Sequence, residues 1–390
     1  MAGRRVLLMH VVTTGSGHYR ASQAIEQTLR ARDPSATIVN VDAFRYASRF
    51  VRWTISRTYL SLIRHQPDIW EYLYDNPSVY RRVKFFQQLL YRYQAKKLQQ
   101  LIEEVRPDVI ACTQAYPCGM VADFKCRQGL RIPLVGVLTD YAPHLYWFHE
   151  QPEVDVYVVP SQQVKQRFIT RGIAAEKVQA LGIPTSLSFR QQASRHEVMQ
   201  DFGLDPTQPM ILIMGGGSGL GQLREVVASL DILPHACQLV LVAGNNKRLV
   251  AWLRKRVFRH RVVVLDFTDR IAQLMDVATV LVSKPGGMTT SEALCKQLPL
   301  VMVNPIPGQE SYNARFLLSQ GAALQAETPA MVRQIVRDIL DNPEQLAAMR
   351  LRAAQSAHPD ASLDIAALLC SLADKSKQNI ADGRFDSSFR

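Results

Sequence analysis

Residues 279–310 read TVLVSKPGGMTTSEALCKQLPLVMVNPIPGQE. An apolar run ends in Lys-Pro-Gly-Gly. A helix start follows, with Thr289, Thr290, Ser291 and Glu292, and then a second apolar run opens into a Pro-rich loop carrying Gln309 and Glu310. Strand, turn, helix and strand make a βαβ unit, so the segment predicts a parallel sheet. A hydroxyl can cap the helix, and Glu292 suits the positive end of its dipole. Neither role accounts for Pro-Gly-Gln-Glu after the second strand. Glycines before a helix suit a phosphate, and amide plus carboxylate suit sugar hydroxyls.

The same alternation runs outward in both directions. Apolar runs at 5–12, 36–44, 107–114, 133–140 and 154–161 read as strands of a first domain. Those at 209–214, 238–243, 261–265, 279–283 and 299–304 read as strands of a second. Each half opens strand, Gly-rich turn, helix. The pattern lapses at 182–208, so the expected organisation is a first domain at 1–185, a linker at 186–207 and a second domain at 208–372. The polar tail 373–390 is expected to be disordered. Open parallel sheets bind ligands at the carboxyl ends of their strands.

The bulk numbers agree with two cytosolic α/β domains. The chain has 390 residues, 47% hydrophobic and 21% charged, enough apolar material for two cores. Six cysteines are scattered without a CxxC pair, which suggests neither a zinc site nor a disulfide framework. The start, MAGRRVLLMHVV, leads straight into a Gly turn and reads as a buried first strand. No apolar stretch reaches the roughly 18–20 residues of a membrane span.

MGGGSGLG (214–221) places Gly215, Gly216, Gly217, Ser218 and Gly219 between a strand and a helix. Close backbone approach and free N–H groups there suit a diphosphate. A Walker Lys-Ser/Thr pair does not follow the glycines. The next strand ends VAGNN, without the acid a dinucleotide ribose needs. In the N-terminal turn TTGSGHYR the third glycine position of the dinucleotide fingerprint is Arg20. His18 stands where this turn meets its helix and can accept a proton near neutral pH. Asp140 closes another strand and is the second candidate base. Asp140, His144 and His149 are the one acid/His cluster. Their spacing gives no helical i,i+4 pair, so no metal is expected.

Three segments carry a resemblance. SKPGGMTTSEAL with LPLVMVNPIPGQESYNARFLLSQGAA is similar to the donor signature of glycosyltransferase family 28. TGSGHYRASQAI and LTDYAPHLYWFH resemble the branch of monogalactosyldiacylglycerol synthase and processive diacylglycerol glucosyltransferase. The resemblance covers about residues 5–355, with Ser16 standing where that branch has glycine. It implies a GT-B fold, two Rossmann-like domains facing a central cleft. It also implies inverting transfer of galactose or glucose from a UDP-sugar to diacylglycerol, without cofactor or metal. By motif, Glu292 would hold the ribose hydroxyls, and Gln309 and Glu310 the donor sugar. Phe267 and Thr268 would flank the uracil, and Gly286, Gly287 and Thr290 would line the helix start by the phosphates. The rivals are an N-acetylglucosaminyltransferase acting on an undecaprenyl-diphosphate precursor, a UDP-sugar 2-epimerase and a non-catalytic UDP-sugar sensor.

The net charge of +12 is concentrated. Residues 45–97 hold eleven Lys/Arg, three acids and twelve aromatics, among them Trp53, Trp70, Phe85 and Phe86. Basic and aromatic side chains on helix-like segments suit anionic headgroups better than nucleic acid. The expected location is therefore cytoplasmic, peripheral on the cytosolic face of the plasma (inner) membrane.

Overall fold

The computed structural model describes residues 3–11, 17–45, 77–148, 153–215, 222–303, 305 and 309–382. The chain divides into two units. The first is Met1–Ser186 with Pro307–Gln309 and Asp360–Arg390; the second is Leu187–Ile306 with Glu310–Pro359.

The first unit runs β1 (Arg5–His10), α1 (Gly17–Arg32), β2 (Thr37–Asp42), α2 (Pro77–Val105), β3 (Val109–Cys112), α3 (Ala115–Gln128), β4 (Leu134–Val137), β5 (Val156–Val159), α4 (Gln162–Thr170) and β6 (Val178–Ala180). Its six strands are parallel, in the order β2-β1-β3-β4-β5-β6. Alternation along β1 decides the packing. Leu7 and Met9 meet Leu98, Leu101 and Ile102 of α2, while Val6 and Leu8 enter a cluster on the opposite face. A continuous apolar strand is thus buried on both sides, as parallel sheets require.

The second unit runs α5 (Arg195–Asp201), β7 (Met210–Met214), α6 (Leu223–Leu230), β8 (Gln238–Val242), α7 (Lys247–Arg254), β9 (Arg261–Leu265), α8 (Ile271–Val277), β10 (Val280–Ser283), α9 (Gly287–Cys295), β11 (Leu300–Val303), α10 (Gln309–Gln320), β12 (Ala323–Ala326), α11 (Pro329–Asp341) and α12 (Pro343–Ser356). The order is β12-β11-β10-β7-β8-β9, again all parallel. The chain then returns to the first unit as α13 (Ala361–Ala381).

Two features differ from the sequence expectations. The stretch expected to fray from 373 is helical to Ala381. Its Ile365, Leu369 and Ala373 cover Val6 and Leu8, Asp374 pairs with Arg4 at 2.8 Å, and Lys377 donates to the Gly3 carbonyl at 2.8 Å. Local polarity hid an apolar stripe whose partner lies at the other end of the chain. The segment expected as a linker is held within the second unit. Arg195 donates to the carbonyls of Pro206, Gln208 and Val277, and Lys296 to that of Gln191.

Lys296 and Asp276 form an ion pair at 2.7 Å, their side chains 2% and 10% exposed. Asp276 also accepts the Ala193 N–H at 3.1 Å. The lysine of SEALCK is therefore a structural tie. Removing one partner of a buried pair leaves the other charge unpaired. Lys296→Ala is expected to cost about 3–5 kcal/mol, read as a lower urea midpoint at unchanged slope.

Candidate functional site

In the first unit the strand order reverses between β1 and β3, and crevices for ligands open at such points. His18 sits there, in the first turn of α1. Its Nδ1 lies 3.0 Å from the Thr113 carbonyl, one residue past β3, and 2.8 Å from Thr139 Oγ1, two residues past β4. A carbonyl only accepts, so Nδ1 carries the hydrogen and Nε2 keeps its lone pair. Thr113 Oγ1 in turn donates to the His18 carbonyl at 2.9 Å. Both threonines are buried, and the histidine is half-buried. Burial is the main cause that pushes the His18 pKa down from 6.5 to about 4. The Thr113 carbonyl opposes it, and nearby His10 adds to it. At neutral pH this imidazole is uncharged with Nε2 bare, the state a proton acceptor needs.

Asp140 is half-buried, and it is its neighbour Thr139 that bonds His18. Sequence reasoning missed Thr113 and Thr139, although both follow strands at the sheet's carboxyl end. His144 packs edge-on to Tyr146, with ring centroids 5.6 Å apart, and His149 lies outside the described residues. Among the described residues no group of three or more His, Cys, Asp or Glu side chains is placed to hold a metal ion.

In the second unit the order reverses between β7 and β10. Gly215 follows β7 and is buried; Gly216, Gly217, Ser218 and Gly219 lie outside the described residues. Across the reversal, Gly286 is the N-cap of α9 and supplies no side-chain cap. The helix hydroxyls therefore do not cap it, in contrast to the capping role their sequence position allows. A Cβ built on Gly286 would meet nothing within 4 Å, so the helix start opens on free space. Thr290 is fully buried, and its Oγ1 has no hydrogen-bond partner among the described residues. A buried hydroxyl beside an uncapped helix start suits an acceptor-rich ligand. Gly287 is buried in the first turn, and Glu292 is 3% exposed on the same helix.

The remaining candidates follow other strands of this sheet. Phe267, past β9, is 60% exposed, and Thr268 Oγ1 accepts the Arg270 N–H at 3.1 Å. Gln309 and Glu310 open α10 after β11; the Gln309 side chain is outside the described set. Glu310 Oε2 lies 3.6 Å from Nζ of Lys284, which directly follows β10. Lys284 was not singled out from the sequence. It adds a half-buried cation two residues before the α9 cap. Every candidate for holding a donor thus follows the carboxyl end of a strand of one sheet.

A family model described as monogalactosyldiacylglycerol (MGDG) synthase matches residues 18–185, and the glycosyltransferase family 28 C-terminal domain matches 210–365. Processive diacylglycerol beta-glucosyltransferase of Bacillus licheniformis is 27% identical over 349 residues, covering 88% of this chain and 89% of that one. The Bacillus cereus protein of that name is 28% identical over 343 residues, covering 86% of each. The crystal structure of MurG from Acinetobacter baumannii has a TM-score of 0.62 at 17% identity, covering 94% of this chain and 99% of that one, which is a likeness of fold. With the motifs, the two matched halves and the two-sheet fold in agreement, the chain belongs to glycosyltransferase family 28, in the branch of monogalactosyldiacylglycerol synthase and processive diacylglycerol glucosyltransferase.

Proposed function

We propose that the chain transfers glucose or galactose from a UDP-sugar to the hydroxyl of diacylglycerol, with inversion. The observation that carries this reading is the fixed tautomer of His18, within the region matched by the synthase model. The relatives' names supply the acceptor class.

In the proposed step the acceptor oxygen attacks the anomeric carbon while the bond from that carbon to the diphosphate oxygen breaks. The acceptor proton passes to His18 Nε2, and UDP leaves with the electron pair. Asp140 is the alternative base. The uncapped start of α9, with Gly286 and Gly287, would meet the diphosphate, and Thr290 would donate its unpaired hydroxyl there. The turn Gly215–Gly219, with Ser218, would approach the diphosphate from the side of β7. Lys284 would add positive charge where the leaving group gains negative charge, so the reading needs no metal. Glu292 would hold the ribose, Gln309 and Glu310 the sugar, and Phe267 and Thr268 the uracil.

Membrane docking through residues 45–97 belongs to the same proposal, with anionic lipid as the partner at the cytosolic face. Residues 46–76 lie outside the described set. Where α2 side chains are described, Arg92, Tyr93, Lys96 and Lys97 are exposed, Tyr93 at 69%. No helix among the described residues is long and apolar enough to cross a membrane.

The test is product analysis with diacylglycerol in anionic vesicles and each UDP-sugar separately, with and without chelator. A glycosyl-diacylglycerol that persists under chelation is expected. UDP binding without any lipid product would overturn the acceptor and favour the undecaprenyl-diphosphate precursor. Glu292→Ala should weaken UDP binding tenfold or more, about 1.4 kcal/mol, by calorimetry; unchanged affinity would remove it from the site. With His18 as base, kcat/KM should stay flat as pH falls through 6.5 and drop only toward the His18 pKa of about 4. An acid limb centred near 6.5 would contradict the burial of that imidazole.

A further inference from the structure

The first unit does not hold all the surface charge. Residues 245–261, NNKRLVAWLRKRVFRHR, carry seven Lys or Arg and no Asp or Glu. α7 buries Leu249, Val250 and Leu253, which turns the cations outward, and all seven are exposed. Among the described residues Arg254 alone of the seven has a carboxylate partner, Asp266 at 3.4 Å. Trp252 is half-buried, with the guanidinium of Arg256 4.1 Å and that of Arg224 5.0 Å from its ring centroid. Val257, in the turn between α7 and β9, is 99% exposed.

Edge protection, self-association and nucleic-acid binding each account for only part of this surface. β9 is the outer strand of its sheet, and cations such as Arg259 and Arg261 keep such an edge from pairing with another chain. That leaves Lys247 and Arg248 on the helix, Lys255 at its C-cap, and the bare valine without a role. A second copy docking here would bring like charges together. A nucleic acid uses cations and open aromatic faces, but Trp252 already has two guanidiniums over it, and a valine adds nothing at phosphates. An anionic bilayer uses every part: cations at the phosphates, the indole at headgroup depth and the valine at the acyl boundary.

We propose that the 247–261 face of the second unit is a docking surface for anionic phospholipid bilayers, additional to the 45–97 stretch. Lipid is here a surface, not a substrate, so the inference stands whether or not the chain transfers sugar.

The test uses the full chain and co-sedimentation with vesicles of phosphatidylcholine alone or mixed with phosphatidylglycerol. Lys247→Gln, Arg248→Gln and Lys255→Gln remove three cations that make no side-chain bond among the described residues. At an anionic leaflet each is worth about 1 kcal/mol, a factor of about five, so the triple variant should bind on the order of a hundredfold more weakly. Val257→Ser should weaken binding several-fold while the salt dependence stays the same. Thermal melts and UDP calorimetry should match the parent in both variants, and product formation on detergent-dispersed diacylglycerol should persist. Loss of that product in the parent would strike the proposed function and leave this inference standing. Unchanged vesicle affinity in both variants would overturn it. So would loss of binding to a single-stranded oligonucleotide with vesicle binding intact, or self-association with vesicle binding intact, which would assign the cations to edge protection.

Discussion

The hydrogen bond from His18 Nδ1 to the Thr113 carbonyl is the constraint on which the proposed chemistry depends. It forms because β1 and β3 are neighbours although α1, β2 and α2 lie between them in sequence. That adjacency puts the start of α1 beside the residue that leaves β3. The carbonyl selects the tautomer, burial keeps the ring neutral, and Thr139 closes the arrangement from β4. An imidazole with a committed Nδ1 and a bare Nε2 has a lone pair available to accept a proton.

The second unit repeats the device with different chemistry. Its order reverses between β7 and β10, and Gly215 and Gly286 follow those two strands. Gly286 leaves a helix start uncapped and open, and on the same helix the buried Thr290 hydroxyl has no partner among the described residues. Unpaired donors in a dry place are costly unless a ligand satisfies them. On the proposed reading, one architecture would thus provide a proton acceptor on one sheet and anion-binding donors on the other.

Much of the fold was legible because parallel strands are continuous apolar runs. Ten of the strands fall within the runs read from the sequence, and β9 matches its run residue for residue. β6 and β12 were not legible, since Val-Gln-Ala and Ala-Leu-Gln-Ala are short and mixed and pair only at the ends of their sheets. α13 was not legible because partners such as Arg4, Val6 and Leu8 lie more than 350 residues away in sequence. Among the candidates for the site, the glycines, His18, Glu292 and Glu310 stand out in the sequence through turn chemistry and motif. Thr113, Thr139 and Lys284 were not, because their roles come from strand adjacency. Lys296 shows the reverse: it stands in the most specific motif, yet its bonds go to Asp276 and the Gln191 carbonyl.

Thr113 fixes His18 with its hydrogen on Nδ1 and its lone pair on Nε2. Long-range proton–nitrogen NMR on histidine-labelled protein tests it, with His18→Asn identifying the signal among the nine histidines. A neutral ring protonated at Nδ1 is expected at pH 7, unchanged at pH 6. A hydrogen on Nε2, or an imidazolium at pH 6, would contradict it.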